Sequence, residues 1–578
     1  MPQETSIEKS KSAYRCILIL MLVGTILAAI KLIFVELCQD EEYQIVMAYR
    51  RAMGDRLFAD MWEPHQMSSF LNTLFIRMFV GLTGSTTGIV VFLRIMGTMI
   101  QFLIAGFLYL TALRNVSRQS ALLVSLIWFN SSMGLFISPE YSSMMFWFGT
   151  LSILCFWNAM EARHMPKRQG VYVILGDICM CLGVLSYPGF AIFVGCIWIA
   201  AFIRLPRDIR GKGMLLLILP CVLFGIGYML MHAATVSVPV FLRSLPYIFL
   251  QDPTHRITEN HFWTDKLLGA GKELLLDGII TLILYVVAIL LTRLRANRSG
   301  TKITDYHMVA LASVLGLCVA LIRWLLLGDG FECGQVQEIV AAIGMCLLLK
   351  GQEKREKTIY MMLLMGGFAM TFGGWLLSNM SLDSKWCFGI LFHVGLLLML
   401  LKHMQNEEKK SFFFAVAVIW IFFLIFAKGF MLRSGRETNN ILSIRNICET
   451  GPARGILTDY MNAYIMDANF REWNEHVSDE DRVLIVSHTL QSNVILSYMF
   501  SNVEIADCAV NNPYEYNKRL LDYWSLHPEK YPNVIAVDCW YGEELIDPDE
   551  WIMEYIRNDY GYTEVQDGAY LRYYRKKD

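Results

Sequence analysis

Apolar residues fill the first 430 positions in long runs separated by short polar or basic connections, and the pattern then stops. A helix needs about 20 predominantly apolar residues to cross ~30 Å of hydrocarbon. On that measure the expected spans are 16–37, one crossing within 70–90 or 91–113, then 119–137, 143–160, 171–186, 189–203 and 213–232. They continue at 274–292, 306–327, 335–350, 358–378, 385–402 and 411–428, giving about thirteen, with the rest of 70–113 as a surface segment. Beyond 430 the pattern changes to short apolar strands, Val483–Val486 and Val534–Val537, an alternating Tyr570–Tyr574, and helical stretches such as 514–525. The expected fold class is a polytopic α-helical membrane protein. Residues 1–430 form the membrane domain and 431–578 an α/β domain large enough for a core of its own.

Composition agrees with this reading: 55% of the 578 residues are apolar and 18% charged, outside the usual soluble range. Charge placement adds direction. Arg114/Arg118, Arg163/Lys167/Arg168, Arg204/Arg207/Arg210/Lys212, Arg293/Arg295/Arg298, Lys350/Lys354/Arg355 and Lys402/Lys409/Lys410 fall in alternate connections, on the side of the basic leader Lys9, Lys11 and Arg15. The positive-inside rule places all of them in the cytoplasm, so an odd number of spans leaves 431–578 extracytoplasmic. The first apolar run lacks a convincing small-residue cleavage site and reads as a retained span of a plasma-membrane protein. Most of the 14 cysteines fall in apolar spans, and Cys448, Cys508 and Cys539 have no metal or disulfide spacing. Membrane lipids are the expected surroundings, with no nucleic-acid partner.

The chemistry is expected on the extracytoplasmic face, where residues 38–69, the turn 138–142 and the loop 233–273 collect. The first loop carries Asp40-Glu41-Glu42-Tyr43, then Arg50-Arg51, Gly54-Asp55 and Trp62-Glu63-Pro64-His65-Gln66. Residues 41–52 read as a helix on the membrane surface, stopped by Gly54 and capped by Asp40. The cap alone would account for the acids; a base that activates a hydroxyl is the alternative. Glu140, after Ser138-Pro139, brings a second carboxylate to the same face. Such a group at a membrane interface is costly unless wet, paired or used. It could start a helix, or orient an acceptor or a divalent cation.

Basic groups on the same face include His65, Arg243, His255, Arg256, His261, Lys266 and Arg323. Arg323 interrupts an apolar run, so it either snorkels or meets an anionic headgroup, whose phosphate oxygens guanidinium matches bidentately. The chain has no Walker-type loop, zinc motif, nucleophile elbow or dinucleotide fingerprint. The energy of a transfer reaction would then have to reside in the donor, and a sugar joined to a lipid phosphate meets that requirement.

With Asp40-Glu41, Tyr43 and Gly54-Asp55 in the first loop and Glu140 in the next turn, the sequence resembles the GT-C integral-membrane glycosyltransferases, particularly the protein O-mannosyltransferase and aminoarabinose transferase group. The resemblance is carried mainly by residues 15–205. It implies a GT-C-like fold and transfer with inversion from a polyprenyl-phosphate sugar to a glycan, lipid or protein hydroxyl. It places the catalytic carboxylate on Asp40, with Glu41 the substitute if the register slips by one, and the second acid on Glu140. Donor phosphate would meet Arg323, Arg243 or His65, and a divalent cation is a candidate cofactor. Two departures concern the donor and acceptor contacts. Glu63-Pro64-His65 stands where the group often has Lys-Pro, and Tyr187-Pro188-Gly189 where it commonly has Lys-Gly. A transporter or flippase of lipid-linked saccharide, with paired ionisable groups at the midplane, and a non-catalytic envelope-assembly protein are the alternatives.

Overall fold

The computed structural model describes residues 2–37, 39–131, 137–205, 207–249, 262–299, 304–327, 335–378, 380–382, 385, 388–404, 410–430, 443–487, 493–508 and 519–576. His255, Arg256 and His261 lie outside them. Helices up to the middle of the chain are α1 (Pro2–Phe34), α2 (Gln39–Met53), α3 (Phe70–Thr83), α4 (Ile89–Ala112), α5 (Arg118–Ser131), α6 (Tyr141–Glu161), α7 (Pro166–Ser186), α8 (Ala191–Arg204), α9 (Arg207–Ala233) and α10 (Val238–Phe249). The second half of the bundle comprises α11 (Phe262–Ser299), α12 (Asp305–Leu327), α13 (Gln335–Leu348), α14 (Lys354–Leu376), α15 (Ile390–Met404) and α16 (Lys410–Phe430). Among the described residues, eight helices are long and apolar enough to cross a membrane, accompanied by four shorter apolar ones. The 70–113 stretch divides at Gly84, whose left-handed backbone ends α3 after 14 residues, while the apolar α4 runs for 24.

After a two-stranded pair, β1 (Asn446–Ile447) and β2 (Leu457–Thr458), the C-terminal sheet runs β4 (Glu504–Ile505), β3 (Arg482–Val486), β5 (Val534–Trp540), β8 (Leu571–Arg575), β7 (Glu564–Asp567) in spatial order, with β6 (Glu543–Glu544) paired to β5 off this path. β3 pairs in parallel with both β4 and β5, and β8 is antiparallel to β5 and β7. Because β3 and β5 are central, nearly all their residues are buried, and they read in sequence as unbroken apolar runs. Helices α17 (Tyr460–His476), α18 (Arg519–Leu526) and α19 (Trp551–Asn558) accompany the sheet.

The core of this region is shared with the first loop. Tyr43, Ile45, Met47, Trp62 and Leu93 belong to the same buried apolar cluster as Trp473, Ile485, Tyr523 and Val537. Main-chain bonds join the two as well: Glu36 N–H donates to Leu457 O, Gly88 N–H to Gly451 O, and Trp62 N–H to Cys508 O. This corrects the expected place of α2. It does not lie on a membrane surface, because Glu41 to Arg50 are buried all round.

Arg50 makes that burial tolerable. Its guanidinium is inaccessible and pairs with Asp55 and Glu63, each at 2.7 Å, while donating to Asp60 O at 2.7 Å. Tyr523 of α18 donates to the same Asp60 carbonyl, and Lys530 reaches Asp55 at 2.7 Å. Burial pulls the Arg50 pKa down, and Glu63 and Asp55 more than offset it. Removing one partner of a buried pair costs about 3–5 kcal/mol, since the other charge stays behind. We expect Arg50→Ala to lower the thermal midpoint of the purified full chain sharply, and Arg51→Ala, one position on, to lower it far less. Equal midpoints for the two variants would contradict the network's role.

Candidate functional site

Arg94, near the start of α4, organises the mouth of the bundle. Its Nε and Nη2 grip both oxygens of Glu41 at 3.0 and 2.6 Å. Nη1 donates to the carbonyls of Leu32, Ile33 and Val35, and Nη2 to that of Glu36. The last carbonyls of a helix lack intrahelical donors, so one side chain caps α1 and anchors the first turn of α2 together. Glu36 holds a left-handed backbone (φ 59°), kept there by Arg94 and by Thr458, whose hydroxyl donates to its carboxylate at 3.1 Å.

Two expectations change here. Glu41 is buried and bidentately paired, so it is unavailable as a base. Asp40 is the second residue of α2 and not its cap, since the helix begins at Gln39. Successive helix positions point roughly 100° apart, so the contact that fixes Glu41 turns Asp40 elsewhere, and Asp40 is half-buried.

Glu140 comes to the same place by way of Gly97. A Cβ on Gly97 would lie 1.7 Å from Ile137 O, so only glycine lets the turn 137–140 rest against α4. Gly97 is three residues from Arg94 and therefore on the same helix face. Glu140 is the N-cap of α6, fully buried, its carboxylate accepting from Ser142 N–H at 2.7 Å and from Ser143 N–H. The helix-starting role is thus real, and Asp40 also lies within its field. Burial raises the Glu140 carboxyl to about 7, the bonds from Ser142 and Ser143 pull against the rise, and the charge of Asp40 adds to it.

Around these acids stand aromatic rings. His65 stacks on Tyr141 at 4.3 Å between centroids and, more distantly, on Tyr187 at 5.9 Å. The Tyr187 hydroxyl donates to Gly374 O at 2.9 Å. The Tyr187-Pro188-Gly189 departure has a packing reason: Gly189 and Gly373 meet backbone to backbone, where a Cβ on Gly189 would sit 2.0 Å from Gly373 O. Asp40, His65 and Tyr141 are each partly exposed, whereas Glu140 beside them is buried.

The cations sort differently from expectation. Arg323 on α12 pairs with Asp277 on α11 at 3.5 Å, a local neutralisation between two helices that accounts for its interruption of an apolar run. Arg243 is exposed on α10, near Tyr247. Lys266, at the start of α11, lies over the Trp375 ring at 5.2 Å, donates to Ser378 O and lies within the field of Lys385. Trp375 directly follows Gly374, the acceptor of the Tyr187 hydroxyl, so this lysine pair adjoins the aromatic mouth. Lys385 was not singled out in the sequence; it is one cation in a polar turn, and nothing local distinguishes it.

Among the described residues, one group of three has metal-ligand spacing: Asp60, His527 and Glu529, with ligand atoms within 4.8 Å of one another. The donor types suit a divalent cation, but Asp60 already holds the Arg56 guanidinium through both oxygens. It also lies beside Arg50, ten positions and roughly 15 Å of helix from Asp40. The group is thus compatible with a divalent cation, in competition with the Arg56 guanidinium for Asp60.

Protein-family models and curated proteins give no match to this chain. Among solved structures, an oligosaccharyltransferase from Archaeoglobus fulgidus, in a complex with Zn and sulfate, aligns at 10% identity and a TM-score of 0.44, over 90% of this chain and 67% of its own. The archaeal oligosaccharyltransferase AglB from the same organism, with an inhibitory peptide and a dolichol-phosphate, aligns at 9% identity and 0.40, over 92% and 70%.

Glu140 generates a pH prediction. Its folded pKa, about 7, lies above the ordinary 4.5, so the folded chain binds the proton more tightly than the unfolded one. Stability therefore falls as pH rises through that window and levels off above it. Glu140→Gln should flatten the wild-type fall in thermal midpoint across the window. Identical slopes in the two proteins would show that the carboxyl does not titrate there.

Proposed function

We propose that this chain transfers a glycosyl group, with inversion, from a polyprenyl-phosphate sugar to an extracytoplasmic hydroxyl. What supports the reading is that Asp40 lies near enough to Glu140 for their charges to interact, beside the stacked rings of His65 and Tyr141, in a chain of long apolar helices. Asp40 takes the acceptor proton as the hydroxyl oxygen attacks the anomeric carbon. The bond from that carbon to the phosphate oxygen breaks on the opposite face, and the lipid phosphate leaves with its electron pair. Glu140 orients the acceptor through the start of α6. Lys266 and Lys385 replace Arg323 as the groups that meet the departing phosphate, because Arg323 is engaged by Asp277. His65, Tyr141 and Tyr187 wall the sugar site, and Arg243 stands apart on α10. The membrane is the plasma membrane, with the C-terminal region outside it, and the acceptor is a glycan, lipid or protein.

One observation favours the transporter alternative. Glu338 on α13 and His393 on α15, both fully buried, face each other at 3.3 Å inside the bundle. Paired ionisable groups there are what ion-coupled movement would use. Transfer by purified protein with donor and acceptor in one detergent phase, where no gradient exists, distinguishes the two readings.

Three variants test the chemistry in that assay. General-base catalysis contributes about 10²–10⁴-fold, so Asp40→Asn should lower kcat by that order and leave the donor KM little changed. Full activity in this variant would sink the proposed base. Replacing Lys266 and Lys385 together by Gln should raise the donor KM by tenfold or more, while Arg323→Gln leaves it near the wild-type value; the reverse order would return the phosphate to Arg323.

A further inference from the structure

A cavity of about 230 Å³ opens where the first loop meets the end of α9, lined by Leu57, Phe58, Tyr228, Met229, His232 and Phe241. Phe58 is held in a left-handed backbone (φ 63°), its N–H bonded to Gln66 Oε1 at 2.6 Å. Its ring closes the cavity edge-on against His232 at 5.6 Å and Phe241 at 5.3 Å. The wall formed by α9 is unusual. This helix is strongly apolar and has no buried residue among those described, so the surface it does not pack against α7 and α8 is open to hydrocarbon. A chain can therefore enter the cavity sideways from a bilayer.

The rim is cationic. Arg51 lies within the field of Tyr228, His232 and Arg77. Arg77 turns its guanidinium onto the last carbonyls of α2, Arg51 O at 3.2 Å and Ala52 O at 3.3 Å. Arg56 reaches Thr235 O at the mouth. Inside the rim, Tyr228 Oη and His232 Nε2 are buried atoms with no hydrogen-bond partner. Buried polar groups are ordinarily satisfied, so two orphans beside an arginine pair point to an oxygen-rich group that belongs there.

We infer that this cavity binds an anionic phospholipid of the bilayer, with an acyl segment inside and the phosphate between Arg51 and Arg77, hydrogen-bonded by Tyr228 and His232. Charge decides the class: the same arginines repel the ammonium of a zwitterionic headgroup and match phosphate oxygens. Arg51 is eleven positions along α2 from Asp40, roughly 16 Å of helix, so the lipid is separate from the reacting groups. It acts on the far end of the helix that carries the candidate base. The inference does not depend on the reaction being glycosyl transfer.

The test uses the purified, delipidated full chain, with lipid adducts counted by native mass spectrometry and the thermal midpoint measured in parallel. Probes are short-chain phosphatidylglycerol, phosphatidylcholine of equal chain length, a polyprenyl phosphate and inorganic phosphate. Phosphatidylglycerol should bind and raise the midpoint, with phosphatidylcholine at least tenfold weaker. Each arginine is worth about fivefold, so the Arg51→Gln, Arg77→Gln double variant should lose more than tenfold. Ala233→Trp fills the cavity from an exposed position on α9, leaves the fold intact, and should abolish the adduct. Equal binding of phosphatidylcholine, an adduct that survives Ala233→Trp, full competition by inorganic phosphate, or preference for polyprenyl phosphate would each overturn the assignment.

Discussion

The arrangement at the mouth of the bundle depends on Arg94. One guanidinium caps the end of α1, holds the left-handed Glu36 and grips Glu41 through both oxygens. A buried arginine is tolerable only with such complete pairing, and a planar fork can satisfy a carboxylate and several carbonyls together where an ammonium could not. The direction of Asp40 follows, because its neighbour in the same turn cannot rotate. Gly97, three residues along the same helix, then sets the depth at which the Glu140 turn docks. Two acids from separate loops thus share one reference, α4.

The C-terminal region belongs to this arrangement physically, although the sequence divides near 430. It supplies Thr458 to Glu36 and Tyr523 to the Arg50 network, and its apolar core continues into the first loop. Moving that region would expose Trp62, Ile45 and Met47 and strip partners from a buried charge, so α2 stays put. Catalysis by a base needs such fixity, since a displacement of about 1 Å can cost a hundredfold.

Elements set by local pattern are legible in the sequence: the long apolar runs, and the strands expected at 483–486, 534–537 and 570–574, the last one residue short of β8 at its C-terminal end. β7 was not, because Glu564–Asp567 is a polar edge whose pairing with β8 cannot be seen locally. α10 falls within the expected loop 233–273, and its sequence signal is weak because Pro246 lies inside a helix of only 12 residues. The larger misreading was α2. Arg50 and Arg51 among apolar residues suit a helix on the membrane surface, whereas the partners that bury Arg50 include a tyrosine 473 positions away. The choice between Asp40 and Glu41 turned on Arg94, 53 positions downstream. Arg323 carried a usable signal: Asp277 interrupts another apolar run, and opposite charges in two spans are a pair before they are a binding site. The Lys266–Lys385 pair left no such trace.

Three carboxylates at one mouth would repel one another if all were exposed alike, and the fold gives each a different environment. Glu41 is neutralised by Arg94. Glu140 is buried, stabilised by two N–H groups at a helix start and destabilised by the charge nearby, so it is the acid whose proton is most loosely decided near neutral pH. Asp40 is only half-buried. Environments that separate neighbouring acids are the usual means of dividing chemical roles between identical groups. A structural cap for α6 and a proton acceptor for a hydroxyl are compatible assignments only because the two carboxylates differ in burial. On the proposed reading, the Asp40–Glu140 pair is therefore one candidate base whose surroundings include a second, capped acid, and not two interchangeable groups.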